Sequence, residues 1–289
     1  MEFDAANKSQ LRQLMAENGL RPNKRLGQNF LCDKNAADAI VRAAGTLTDR
    51  CVLEIGPGAG ALTVRLCEKA KRVYALELDA GLYALLQKQI KAENLTLIHG
   101  DALKEDFSQL ALGQHAAVVA NLPYYATTAI LLRLLHELPM ADTFVLMMQR
   151  EVAQRLCAPP GGREYGSLSV AVQYYAQAQT VLKVPPTCFF PAPDVDSTVV
   201  RLTRRPYPVR PADEAWMFTL VRASFAMRRK TILNNLSAVQ GLDKPAILQA
   251  LERCGIDAGV RGETLSIEQF IALSDATLPI VRAAHKSNT

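Results

Sequence analysis

The sequence predicts an α/β fold: a parallel, doubly wound sheet, followed by a small all-helical C-terminal segment. Three observations carry this. Short apolar runs alternate with helix-like runs from Cys51 to Met148. A glycine loop, Gly56-Pro57-Gly58-Ala59-Gly60, links the first of those runs to a helical pattern. Past residue 207 the strand-like runs stop and only helical periodicity remains. Strands and helices alternating at this rhythm form a sheet covered on both faces, with ligands at the carboxyl ends of the strands.

The elements follow in order. A helix is expected over 8–19, with Leu11, Leu14 and Met15 on one face and Gly19 as its stop. Residues 21–31 are basic and glycine-interrupted. They read either as a solvated loop pinned by Phe30 and Leu31, or as a flap whose Arg21, Lys24 and Arg25 face phosphates. A helix over 35–44 precedes the strand 51–55, the glycine loop and a helix over 62–69. This arrangement lets backbone approach a nucleotide-like ligand closely. Gly56-x-Gly58-x-x-Ala61 also fits the dinucleotide pattern, so a nicotinamide enzyme stays open at this point.

The second strand, 72–78, contains Glu77, 23 positions after Glu54. That is near the ~20-residue spacing of an acid that holds ribose hydroxyls. A carboxylate can accept from both hydroxyls at once. The plainer alternative is an exposed acid at a strand end. After a helix over 82–90 and a strand over 95–98 comes Asp101, placed to accept from an adenine amine or to cap the following turn. The fourth strand, 116–120, runs into Asn121-Leu122-Pro123-Tyr124-Tyr125. An amide and an aromatic ring at the open end of a strand suit a flat base carrying an exocyclic amine. A helix over 127–138 and a fifth strand over 143–148 follow. Gly56, Glu77, Asp101 and Asn121 thus all fall at strand ends, and the coincidence says more than any one of them.

Helices are expected over 149–156 and 165–175, around a loop at 158–164, then a strand over 180–184. Phe189-Phe190-Pro191-Ala192-Pro193-Asp194-Val195-Asp196-Ser197 is a stiffened, extended segment leading into a strand over 198–203. Its phenylalanines either offer faces to a base or plug the sheet edge. A boundary near residue 207 separates a domain of 1–207 from one of 208–289, with helices over 213–226, 230–239, 246–254 and 267–274.

The net charge of +5 is a mild argument for a polyanionic partner. The charge is concentrated. Residues 201–230 hold eight basic and two acidic side chains, a local excess of +6. Arg228-Arg229-Lys230, beside Phe225 at a helix junction, reads as a phosphate contact. The six cysteines include no Cys-x-x-Cys pair and the four histidines are scattered. A reducing compartment is expected, with no disulfide frame and no metal. The start of the chain has no signal pattern and no apolar run nears the ~20 residues of a membrane helix, so a cytoplasmic protein without a membrane partner is expected.

These residues together resemble the bacterial ribosomal RNA small-subunit adenine dimethyltransferase family over nearly the whole chain. The resemblance rests on Lys24-Arg25-Leu26-Gly27-Gln28-Asn29-Phe30-Leu31, Glu54-Ile55-Gly56-Pro57-Gly58-Ala59-Gly60 and Asn121-Leu122-Pro123-Tyr124. Phe190-Pro191-x-Pro193-x-Val195-Asp196-Ser197 and Arg228-Arg229-Lys230-Thr231 extend it. It implies a Rossmann-like class I S-adenosylmethionine-dependent methyltransferase sheet with a small helical C-terminal domain. It implies cofactor contacts at Asn29, Leu31, Gly56, Glu77, Asp101 and Asn121. The implied substrate is a pair of adjacent adenosines in the 3′-terminal hairpin of 16S rRNA, in the immature 30S subunit, each dimethylated at N6 by a monomeric enzyme. Tyr125 departs from the family pattern, where Asn is common.

On this footing Asn121 and the Leu122 carbonyl are expected to accept from the adenine amine, Pro123 to hold that carbonyl, and Tyr124 to stack on the flipped base. Phe190 is expected to close the other face of the base, and Arg228, Arg229 and Lys230 to meet RNA phosphates. The rivals are a macrolide-resistance 23S rRNA adenine methylase, which shares the Gln-Asn-Phe and Asn-x-Pro-Tyr elements, and an assembly factor whose RNA binding outweighs its catalysis.

Overall fold

The computed structural model describes residues 4–23, 26–205 and 209–286. Two compact units emerge, one of residues 1–153 and 176–205, the other of 154–175 and 206–289. The expected single boundary near 207 is thus corrected: residues 154–175 belong with the C-terminal helices. The reason is packing, since Tyr165, Val170 and Tyr174 are buried in the same apolar cluster as Met217, Leu220 and Phe270.

In the first unit the strands are β1 (Phe30–Leu31), β2 (Cys51–Ile55), β3 (Arg72–Glu77), β4 (Leu95–His99), β5 (Ala116–Asn121), β6 (Ala141–Gln149), β7 (Ala176–Val184), β8 (Phe189–Phe190) and β9 (Ser197–Arg204). Seven of them form one sheet in the order β4-β3-β2-β5-β6-β9-β7. The five strands from β4 to β6 are parallel. β9 runs antiparallel to both β6 and β7, so the sheet is mixed rather than parallel throughout. The segment joining β7 to β9 holds no α-helix, and a parallel return needs a crossover. β5 is buried at every position except its last, Asn121, as expected of a central strand covered on both faces.

The helices around this sheet are α1 (Lys8–Glu17), α2 (Lys34–Ala43), α3 (Thr63–Cys67), α4 (Ala80–Gln89) and α5 (Thr127–Glu137). α1, α2 and α4 start on the caps Asn7, Asp33 and Asp79, whose side chains accept from the first free backbone N–H groups. The N-terminal segment is tied down by the buried Arg65 guanidinium, which donates to Asp38 at 2.6 Å and to Asp4 at 3.0 Å.

One element has no sequence signal. β1 and β8 pair antiparallel, Phe30 opposite Phe190 and Leu31 opposite Phe189. Two-residue strands show no period, so the pairing is invisible until the chain is folded.

The strand-to-helix passage at β6 leads into α6 (Arg150–Cys157). The second unit continues with α7 (Ser167–Tyr175), α8 (Glu214–Ser224), α9 (Ile232–Leu236), α10 (Lys244–Arg253) and α11 (Ile267–Lys286). α11 runs well beyond the expected stop at residue 274 and carries Pro279 within it. Polar side chains there are absorbed locally: Thr277 Oγ1 donates to the Leu273 carbonyl and accepts from Trp216 Nε1. Leu278 and Val281 keep the apolar face buried. No helix among the described residues is long and apolar enough to cross a membrane.

Candidate active site

The carboxyl ends of β2, β3 and β5 open into one cavity, lined also by residues 26–31 and 100–103. About 1020 Å³ of space lies within it, open solvent at its mouth included. Asn29, Leu31, Gly56, Glu77, Asp101, Asn121, Leu122, Pro123 and Tyr124 all line it.

The glycine loop shows why small residues are needed. Gly58 has φ +60°, and a Cβ there would come within 3.0 Å of the Phe30 ring. Its N–H donates to Glu77 Oε2 at 3.0 Å, while Asp79 N–H donates to Glu77 Oε1 at 2.8 Å. Glu77 is therefore no exposed strand-end acid. It is 5% exposed and ties the glycine loop to the start of α4. Burial raises its carboxyl above the ordinary range, and the two backbone N–H groups pull it back in part. Gln28 Nε2 donates to Asp79 at 3.2 Å, so the N-terminal motif is fastened to the same cap.

Asp101 caps the turn, Oδ1 accepting from Leu103 N at 2.9 Å, and the residue lines the cavity.

Glu54 is a functional group that sequence reasoning passed over, although it stands in the quoted loop motif. It lies 1% exposed on β2, lines the cavity, and its Oε2 has no hydrogen-bond partner among the described residues. Burial pushes its carboxyl up to about 8; the nearby Thr63 hydroxyl pulls the other way and the charge of Glu77 adds to the rise.

The turn of residues 121–124 is held from three sides. Asn121 Nδ2 donates to the Asn29 carbonyl at 3.1 Å, which fixes the amide and leaves Oδ1, an acceptor, without a described donor. Leu122 N donates to Met147 O, whereas its own carbonyl receives no described donor. The Pro123 carbonyl accepts from Ala126 N and from Thr127 Oγ1 at 2.9 Å, locking the turn onto α5. The Tyr124 hydroxyl meets Ser197 Oγ at 2.7 Å. Sequence reasoning did not single out Ser197; Val195-Asp196-Ser197 was its only signal. Arg150 anchors the same segment, donating to the Asp196 carboxylate at 3.0 Å.

Phe190 is not where it was expected. It does not line the cavity; the Arg12 guanidinium sits 4.7 Å from its ring centroid. Its strand partner Phe30 lines the cavity instead. Phe189 is fully buried.

Arg228, Arg229 and Lys230 are exposed in the second unit, on the loop between α8 and α9. Arg228 is partly engaged, donating to the Arg163 carbonyl at 2.6 Å, with Glu263 at 3.7 Å. Asn235 clasps this loop, donating to Ser224 O and Met227 O and accepting from Met227 N. The +6 cluster is not one surface, since Arg204 turns back to donate to the Ala141, Leu135 and Leu138 carbonyls. Lys24 and Arg25, expected to face phosphates, lie outside the described residues; Arg21 is exposed.

A mixed sheet with a parallel core, a glycine loop, two acids at successive strand ends and an amide-leucine-proline-tyrosine turn defines a methyltransferase of the Rossmann-like class. The model of the ribosomal RNA adenine dimethylase family matches residues 19–277. The Ribosomal RNA small subunit methyltransferase A of Geobacillus thermodenitrificans is 47% identical over 98% of this chain and 100% of that protein. That of Bacillus mycoides is 47% identical over 95% of this chain and 98% of its own. Among solved structures, a dimethyladenosine transferase from Plasmodium falciparum aligns with a TM-score of 0.73 at 25% identity, over 85% of this chain and 96% of that one. The 23S rRNA methyltransferase ErmE aligns with a TM-score of 0.65 at 28% identity, over 86% of this chain and 99% of its own. The chain belongs to the ribosomal RNA adenine dimethylase family and is a S-adenosylmethionine-dependent enzyme. The nicotinamide reading of the glycine loop falls with that finding.

The residues present fit the cofactor: the acids Glu77 and Asp101 line the cavity beside the glycine loop, and the buried Glu54 Oε2 there has no hydrogen-bond partner among the described residues.

Proposed function

We propose that this protein dimethylates N6 of two adjacent adenosines in the 3′-terminal hairpin of 16S rRNA, acting as a monomer in the cytoplasm on the immature 30S subunit. One observation supports this most. The Asn121 amide is pinned through its NH2 to Asn29, so Oδ1 and the Leu122 carbonyl stand as two unclaimed acceptors in the cavity that holds the cofactor groups.

An adenine amine is a poor nucleophile because its lone pair is delocalised into the ring. Bound S-adenosylmethionine supplies a methyl group already activated on a sulfonium. The protein therefore needs alignment more than a strong base. Two acceptors on the amine hydrogens favour a pyramidal nitrogen with its lone pair free. Tyr124, steadied by Ser197, offers its ring to the base, worth roughly 1–3 kcal/mol. The Pro123 turn keeps the Leu122 carbonyl in place. The displaced amine proton goes to water. Asn29, Leu31, Gly56, Glu77, Asp101 and Glu54 hold the cofactor, and the loop bearing Arg228, Arg229 and Lys230 meets phosphates.

Mass spectrometry of small-subunit rRNA after incubation with protein and S-adenosylmethionine tests this reading. Pre-30S particles are expected to gain dimethyladenosine at two neighbouring positions, and naked 23S rRNA none. The reverse outcome would assign the protein to the 23S enzymes, whose fold it shares.

A further inference from the structure

Two tyrosines stand side by side after Pro123, in different surroundings. Tyr124 is half-buried and held by Ser197. Tyr125 is 58% exposed, more than any other large hydrophobic side chain described. Its hydroxyl makes no hydrogen bond among the described residues. An aromatic ring left on a cavity rim without a partner is a candidate for ligand contact.

Its neighbours say which ligand. Ring atom Cδ1 lies 3.7 Å from the position of a Cβ on Gly27, and Gly27 sits at φ +60°, in the N-terminal motif. Asp101 and Glu77 line the same cavity as Tyr125, and burial first, then their charges, raise the Tyr125 phenol. Tyr124 bonds to Ser197, which follows the Pro-x-Val-Asp segment, whereas Tyr125 packs against Gly27 of the N-terminal motif. The second ring therefore belongs to the cofactor's nucleoside end rather than to the target base.

We propose that Tyr125 is a gate on the cofactor: its ring closes over the nucleoside end of S-adenosylmethionine, against Gly27, and slows the exchange of cofactor and product. The assignment rests on the methyltransferase reading. It also answers a need of that chemistry. Each methyl transferred consumes one cofactor, so the spent cofactor must leave and a fresh one enter between transfers.

The test uses Tyr125→Ala and Tyr125→Phe in the full-length protein. Calorimetric titration gives the Kd for S-adenosylhomocysteine, stopped-flow gives its release rate, and filter binding gives the Kd for RNA. Tyr125→Ala is expected to weaken S-adenosylhomocysteine about tenfold, within the range of base–aromatic stacking. Faster release should account for most of the loss, and the KM for the methyl donor should rise while RNA affinity holds. Tyr125→Phe keeps the ring and should behave as the unaltered protein, which separates stacking from loss of fold. Cofactor affinity in Tyr125→Ala within twofold of the unaltered protein would overturn the gate. So would a selective loss of RNA affinity, which would give the ring to the target instead. Failure of the unaltered protein itself to bind S-adenosylhomocysteine would overturn the methyltransferase reading beneath it.

Discussion

Replacing Glu54 by glutamine tests the cavity's electrostatics in one step. Glu54 lies 1% exposed between its neighbours on β3 and β5. Its carboxyl is moved from an ordinary 4.5 to about 8, chiefly by burial. Between those values the folded protein keeps a proton that the unfolded chain has released. Stability must therefore fall as pH rises through this window, and level off above it. The interval corresponds to a ceiling of about 5 kcal/mol, at 1.36 kcal/mol per pH unit. Glutamine has nearly the same shape and cannot ionise, so its profile lacks this slope. Its unpaired amide hydrogens cost about 1–3 kcal/mol at every pH. At about pH 5 the variant should be somewhat the less stable protein; by about pH 8 it should be the more stable by about 1–3 kcal/mol, the carboxyl's loss less the amide's cost. Glu77 is raised in both proteins, so to first order its own slope cancels in the comparison. Urea unfolding followed by circular dichroism, at a series of pH values, measures the difference directly. Parallel profiles would show that Glu54 is ionised in the folded state and that the burial argument fails.

Four further outcomes are expected. Asn121→Ala should keep most cofactor affinity and lose methyl transfer by orders of magnitude in single-turnover assays, because both the amide acceptor and the Asn29 clamp disappear. Ser197→Ala and Tyr124→Phe each break one hydrogen bond of 2.7 Å and should lower kcat/KM for RNA by about tenfold; the double variant should be no worse than either alone, a non-additive cycle. Neutralising Arg229 and Lys230 should weaken RNA binding and flatten its salt slope by about one to two, more than Arg228→Gln does, since Arg228 is already engaged by Arg163 and Glu263. Arg65→Met strands Asp4 and Asp38, each about a third exposed, and should cost about 2 kcal/mol in chemical denaturation, below the full value for a wholly buried pair.

The strand-end chemistry was legible in the sequence because periodicity and spacing are local. Apolar runs mark β2 to β6, and each ends where a glycine, an acid or an amide follows. What pattern could not supply was contact at long range. Phe190 carried the marks of a stacking residue, yet its long-range partner Phe30 is the ring that lines the cavity. Ser197 reads as an ordinary strand start until Tyr124, 73 positions earlier, is seen to bond to it. Residues 154–175 look like a continuation of the α/β domain, and only their shared core with α8 and α11 moves them to the second unit. Arg204 shows the same limit for charge: counting placed it in a basic surface, but three backbone carbonyls claim it.

These long-range contacts have a common result at the turn after β5. Asn121 is clamped by Asn29 from the N-terminal motif, Tyr124 by Ser197 from the start of β9, and Leu122 by Met147 from β6. Three segments far apart in sequence thus fix one turn, and the Pro123 carbonyl is held locally by Ala126 and Thr127. The Asn121 NH2, the Tyr124 hydroxyl and the Pro123 carbonyl are all consumed. The Asn121 Oδ1 and the Leu122 carbonyl remain. The proposed chemistry, which needs alignment rather than a base, is best served in this way, since two acceptors would stand in place before the amine arrived.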